Sequence, residues 1–98
     1  MPKGYWIAHV EVDDPDAYTA YVEGAKPAFA EHGARFLARG GAHEEMEGAM
    51  GRSRHVLAEF PSMQAALDCW RSDTYQAARA HRLPVSRASI VITEGVED

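Results

Sequence analysis

Six ionisable residues fall at alternate positions of three strand-like stretches: His9 with Glu11, Arg35 with Arg39, and His55 with Glu59. A carboxylate desolvated beside an arginine or a histidine has a shifted pKa, and such a group can serve as an acid, a base or part of an anion-holding site. This reading gives Arg39 the task of orienting an anionic group and His9 or Glu59 that of handling a proton, with His55 alongside as a substrate-binding residue. The same residues also read as a salt-bridged network that fixes the register of two associated copies, because ion-pair networks shift pKa values too. A second set is aromatic: Trp6, Tyr18, Tyr21, Phe29, Phe36, Trp70 and Tyr75. Aromatics at helical spacing are core more often than pocket. Most of these are therefore read as packing, with Tyr18 and Tyr75 as substrate-binding residues at a pocket mouth, where their hydroxyls need partners.

No metal or cofactor is expected. A metal would have to use His9, His55 and Glu59, or His43 with Glu45, and the five histidines show no dense ligand spacing such as His-Glu-x-x-His. His32 and His81 fit helix ends, where a cationic side chain is favoured. Neither a glycine-rich phosphate loop nor a Gly-x-Ser-x-Gly elbow occurs. Gly40-Gly41 lacks a following helix, so the pair reads as a bulge or a close backbone approach. The single cysteine, Cys69, sits in an apolar helical pattern and reads as packing, not as a nucleophile.

Positioning these residues requires a definite set of elements. Residues 5–12 alternate, Trp6, Ala8, Val10 and Val12 on one face and Tyr5, Ile7, His9 and Glu11 on the other, which predicts a strand. Asp13-Asp14-Pro15-Asp16 starts a helix, with an N-cap carboxylate and a proline in the first turn. Its stripe is Tyr18, Tyr21, Val22, Ala25, Ala28 and Phe29; Pro27 predicts a kink or break, and Gly33 a left-handed C-cap. A second strand over 35–39 places Phe36 and Ala38 towards the helices and Arg35, Leu37 and Arg39 away from them. Residues 42–47 read as a polar edge strand, Gly48 to Gly51 as a turn, and 54–60 as a third strand. Ser62 caps a short helix carrying Met63, Ala66, Leu67 and Trp70, and Ser72 or Asp73 caps another ending by Leu83-Pro84. Residues 88–94, the most β-branched stretch, form the last strand, and Gly95 to Asp98 an acidic tail that is frayed or laid on a partner.

The order β-α-β-β-α-β predicts a ferredoxin-like α+β fold in one domain spanning residues 1–98: four antiparallel strands with the helices on one face. The other face carries Ile7, Leu37, Leu57 and Val91 beside the ionisable groups, so a second copy is expected to cover it, sheet against sheet. A net charge of −5 without a basic run argues against nucleic acid. With no stretch near the ~20 apolar residues of a membrane span and no signal-peptide core, a cytoplasmic location is expected.

Several segments carry a family resemblance. The opening from Gly4 to Pro15, the Tyr18-x-x-Tyr21 helix, Gly33 to Gly41, Glu59-Phe60-Pro61-Ser62 and Trp70 to Tyr75 together resemble the small proteins grouped as domain of unknown function 1330, within the dimeric α/β-barrel superfamily. The resemblance implies fold and dimerisation and carries over no catalytic assignment. Superfamily relatives include cofactor-free oxygenases of aromatic polyketides, lactone isomerases, haem-dependent enzymes and stress-response proteins. The leading reading is a homodimeric small-molecule-binding protein, with cofactor-independent catalysis on a small aromatic or lactone-like compound as its active form. The alternative is a non-catalytic dimer module whose polar sheet face stabilises the interface.

Overall fold

The computed structural model describes residues 2–48 and 50–97. Its elements run β1 (Gly4–Val12), α1 (Pro15–Glu31), β2 (Arg35–Arg39), β3 (Arg54–Phe60), α2 (Met63–Arg71), α3 (Asp73–Arg82), a 3-10 turn (Leu83–Val85) and β4 (Ser86–Glu94). The strands form one antiparallel sheet in the order β2-β3-β1-β4, the ferredoxin-like arrangement. Trp6, Ala8 and Val10 of β1 and Ala58 and Phe60 of β3 are buried beneath the helices with Ala25, Ala28, Phe29, Ala66, Cys69, Tyr75 and Ala78. Trp6 is the hub of this layer: its ring lies 5.0 Å from those of both Phe29 and Tyr75 and 5.6 Å from that of Trp70.

Local chemistry sets the helix limits. Asp14 accepts the N–H of Ala17 at the start of α1, where Pro15 occupies the first turn. Gly33, at φ 77°, ends the helix: its N–H donates to Ala30 and that of Ala34 to Phe29, the paired bonds of a Schellman cap. α1 runs unbroken through Pro27, contrary to the expected break. Pro27 and Glu23, whose carbonyl loses its partner, both lie on the exposed side, where water can satisfy that carbonyl. One hydroxyl, that of Ser72, joins α2 to α3, donating to Cys69 O and accepting from Tyr75 N.

Two further expectations are corrected between β2 and β3. Residues 42–47 form no strand; these polar residues are exposed, and no strand pairs with them. The expected turn from Gly48 to Gly51 includes Ala49, which lies outside the described residues, although Gly48 and Gly51 themselves take positive φ. In the tail, Gly95 N donates to Lys3 O, while Val96 and Glu97 are exposed and Asp98 lies outside the described residues. Among the described residues no helix is long and apolar enough to cross a membrane.

The register of β2 carries the largest correction. Arg35 pairs with Glu59 and Phe36 with Ala58, but Ala38 pairs with Leu57 and Arg39 with Val56, so Leu37 is an extra residue, a β-bulge. Beyond a one-residue shift every side chain changes face. Ala38 therefore shares the open face with Leu57, and Arg39 turns to the helix side, over the ring of Phe36 at 4.2 Å.

Candidate functional site

On the open face the expected polar cluster resolves into separate local pairs. His9 and His55 are directly opposite on β1 and β3, their Nδ1 atoms 2.8 Å apart, and the ring of His43 packs 4.4 Å from that of His55. Glu59 accepts from Lys3 Nζ and from the Tyr5 hydroxyl, each at 3.2 Å, and faces Arg35 across the strand pair. The Lys3 hydrogen bond, helped by Tyr5 and Arg35, holds the Glu59 carboxyl below its ordinary range against a desolvation effect in the other direction. Glu11 accepts from the Ser53 hydroxyl. Arg39 belongs to none of these pairs, because the sheet itself separates it from His9, His55 and Glu59. Among the described residues no three His, Cys, Asp or Glu side chains are grouped so as to hold a metal ion.

Between sheet and helices lies a half-open cleft of about 50 Å³. Trp6, Ala8 and Val10 form its floor, Tyr18, Tyr21, Val22, Ala25 and Phe29 of α1 its roof, and Phe36, Val56 and Ile90 complete the apolar lining. Its charged lining residues are Lys26, Arg39, Arg54 and Arg82, all cationic. Tyr18 is in the cleft as expected, with the Arg54 guanidinium 5.9 Å from its ring. Tyr75 is not at the mouth: it is fully buried behind Tyr21, because Trp6, Trp70 and Phe29 pack around its ring. Its hydroxyl lies 3.1 Å from that of Tyr21 and accepts from Arg82 at 3.4 Å.

Arg54 and Arg82 are the site residues that the strand-face argument passed over. Arg54 has the parity of Val56, Ala58 and Phe60 and so points under the helices, opposite Val10. Arg82 continues the stripe of Tyr75 and Ala78 at helical spacing and is only 5% exposed. A charge placed on an apolar set was the signal in both cases. The Nε atoms of both, like those of Arg52 and Arg79, are buried without a hydrogen-bond partner. A buried donor left unmade costs about 1–3 kcal/mol. Among the described residues, the ion pairs join Lys3 to Glu59, Lys26 to Glu23 and Arg87 to Asp13, and none includes Arg39, Arg54 or Arg82.

Burial raises the Tyr21 phenol far above its ordinary pKa, with Tyr75 and Tyr18 adding to the effect, and raises Tyr18 as well, against the opposing charges of Arg54 and Arg82. Both hydroxyls keep their protons at neutral pH and can donate to a ligand. Cys69 is fully buried and its thiol is pushed up to about 12, which leaves negligible thiolate at neutral pH.

The fold is shared with several solved structures. A protein of unknown function from Rhodopseudomonas palustris, RPA0582, matches with a TM-score of 0.75 at 20% identity, over 99% of this chain and 85% of that one. SnoaB, a cofactor-independent oxygenase from Streptomyces nogalater, matches with a TM-score of 0.65 at 9% identity, over 100% and 97% of the two chains. A dimeric ferredoxin-like protein of unknown function from Jannaschia sp. CCS1 matches with a TM-score of 0.64 at 17% identity, over 94% and 98%. At these identities the likeness is one of fold. A comparison with curated proteins finds no match. The sequence model of one family matches residues 3–96, almost the whole length, and on that match the chain belongs to the family called domain of unknown function (DUF1330).

Proposed function

We propose that this protein is a homodimer that binds a small molecule in the cleft between its helices and its sheet. The observation that carries the reading is the inner wall of the cleft, where a nearly fully buried arginine, Arg82, keeps an unpartnered Nε beside two phenol groups in apolar surroundings. A core built for packing alone gains nothing from a charge there, whereas an apolar concavity with a few convergent polar groups is the usual form of a ligand site. The half-open cleft, at about 50 Å³, is smaller than the roughly 150 Å³ that encloses a benzene molecule. A ligand therefore inserts one end and leaves the rest at the mouth near Phe36 and Arg39. Arg39 keeps its anion-orienting role, moved to this side of the sheet by the bulge, and Tyr18 and Tyr21 act as donors. A cofactor-independent reaction on a small aromatic or lactone-like compound would use the same cleft and a tyrosine proton, since His9 and Glu59 face away from it. A thermal-shift screen of small aromatic compounds and lactones tests the reading. Stabilisation that is lost on Tyr21→Phe or Arg39→Gln is expected, and the absence of any stabilising compound would count against it.

The dimer part rests on the open face. Leu57, Ile7 and Val91 align across β3, β1 and β4, and Leu37 and Val91 are 45% and 54% exposed. An apolar row flanked by locally satisfied polar pairs suits a second sheet, and the Jannaschia neighbour of the same fold is described as dimeric. The polar pairs of that face, including His9–His55 and Glu59–Lys3, then set the register of the two sheets. This part of the account is shared by the alternative of a non-catalytic dimer module.

A further inference from the structure

We infer that the cleft takes an organic monoanion, a carboxylate with a planar apolar tail, seated with its carboxylate towards the guanidinium groups of Arg39, Arg54 and Arg82. The inference rests on the cleft being a ligand site and names the chemistry that fits it. Three features converge on it. The charged lining is wholly cationic although the protein as a whole carries a net charge of −5, so the local field is opposite in sign to the molecule's. The guanidinium of Arg54 and that of Arg82, which is 5% exposed with Nε unpartnered, are donors at the wall, beside tyrosine hydroxyls of which that of Tyr75 accepts from Arg82. Among the described residues, no ion pair satisfies Arg39, Arg54 or Arg82, and the cleft lining contains no carboxylate. A planar carboxylate matches the guanidinium fork and supplies the anionic acceptor that the lining lacks.

Size and shape select within the anions. The half-open space of about 50 Å³ is large enough for a carboxylate head and too small to enclose a ring. The apolar lining at Phe36, Val56 and Ile90 suits a flat tail. Inorganic phosphate and acetate lack that tail and should bind more weakly. Gly40 supports the arrangement, since at φ 69° it lies so close to Arg54 that a Cβ would sit 2.3 Å from the guanidinium, and its N–H donates to His55 O. The backbone next to Arg39 therefore packs against the Arg54 guanidinium, and both arginines line the cleft.

Calorimetric titration of the intact protein at neutral pH with benzoate, its neutral isostere benzamide, acetate and inorganic phosphate tests this. One benzoate per chain is expected, about tenfold or more tighter than benzamide and tighter than acetate or phosphate, weakening as salt is raised. The benzoate affinity should fall by a similar factor in Arg39→Gln and in Arg54→Gln, two changes outside the buried core that leave Arg82 in place. Benzamide binding as tightly as benzoate would overturn the anion assignment while leaving the cleft a ligand site. Phosphate binding as tightly as benzoate would overturn the organic tail. Benzoate binding unchanged in both arginine variants would place the anion elsewhere and overturn the proposal, and failure of all four probes to bind would overturn it together with the ligand-site reading.

Discussion

Tyr21 is the residue at which burial, hydrogen bonding and charge meet. Its raised pKa, due first to burial, means that the folded state holds the phenolic proton more tightly than the unfolded chain does. The sign follows by linkage: the contribution is fully present below the ordinary tyrosine pKa of about 10 and is lost as pH rises above it. Alkaline thermal unfolding should therefore steepen above about pH 10, and Tyr21→Phe should lessen the steepening at the expense of the hydroxyl contact to Tyr75. A profile unchanged by the substitution would contradict the assignment. Gly40 makes a second prediction at this scale. Gly40→Ala places a side chain at positive φ against Arg54, so a loss of roughly 1–2 kcal/mol in denaturant unfolding is expected, together with weaker benzoate binding. Arg54 and Arg82 were legible in the sequence, because each interrupts an apolar set whose direction the periodicity defines. Reading them as site residues required the weight given to an ionisable residue on the presumed solvent side to be given to one on the core side.

The elements were legible for the most part because their signals are local. Asp14-Pro15, Gly33, Ser62 and Ser72 act on the backbone within a few residues of themselves, and each stands at the helix end where it was expected. The bulge was not legible, because residues 35–39 alternate cleanly and only pairing with β3 decides that Leu37 is skipped. Neither was the continuity of α1 through Pro27, which depends on which side of the helix meets water. The bulge yields a sharp prediction for the element as a whole. Deleting Leu37 removes the extra residue and leaves Ala38 opposite Leu57 and Arg39 opposite Val56, so Arg39 should stay on the helix side and benzoate affinity should remain within a few-fold of wild type, with the circular dichroism spectrum retained. A fall to the level of Arg39→Gln in a folded deletion variant would contradict the register that places Arg39 beside the cleft.

At the scale of the whole molecule, the proposed reading gives assembly to one face of the sheet and recognition to the other. The open face has its apolar row through Ile7, with Leu57 on one side and Val91 on the other. A charge on that row should separate the copies: at micromolar concentration the wild type is expected to sediment as a dimer and Val91→Glu as a monomer. A wild-type monomer would refute the assembly and leave the cleft untouched. Parity alone set this face apart in the sequence, but it assigned Arg39 to it as well, so the anion-orienting role fell on the face expected to meet a second copy while Tyr18 and Tyr75 were placed at the pocket on the other side. The central claim, that recognition lies on the helix side, is tested most directly by following backbone amide resonances during a titration with benzoate. Shifts confined to Tyr18, Tyr21, Phe36, Arg39, Arg54 and Arg82 and their neighbours are predicted, with the amides of Ile7 and Val91 on the open face unmoved. Shifts centred on His9, His43 and His55, or no shifts at all, would contradict it.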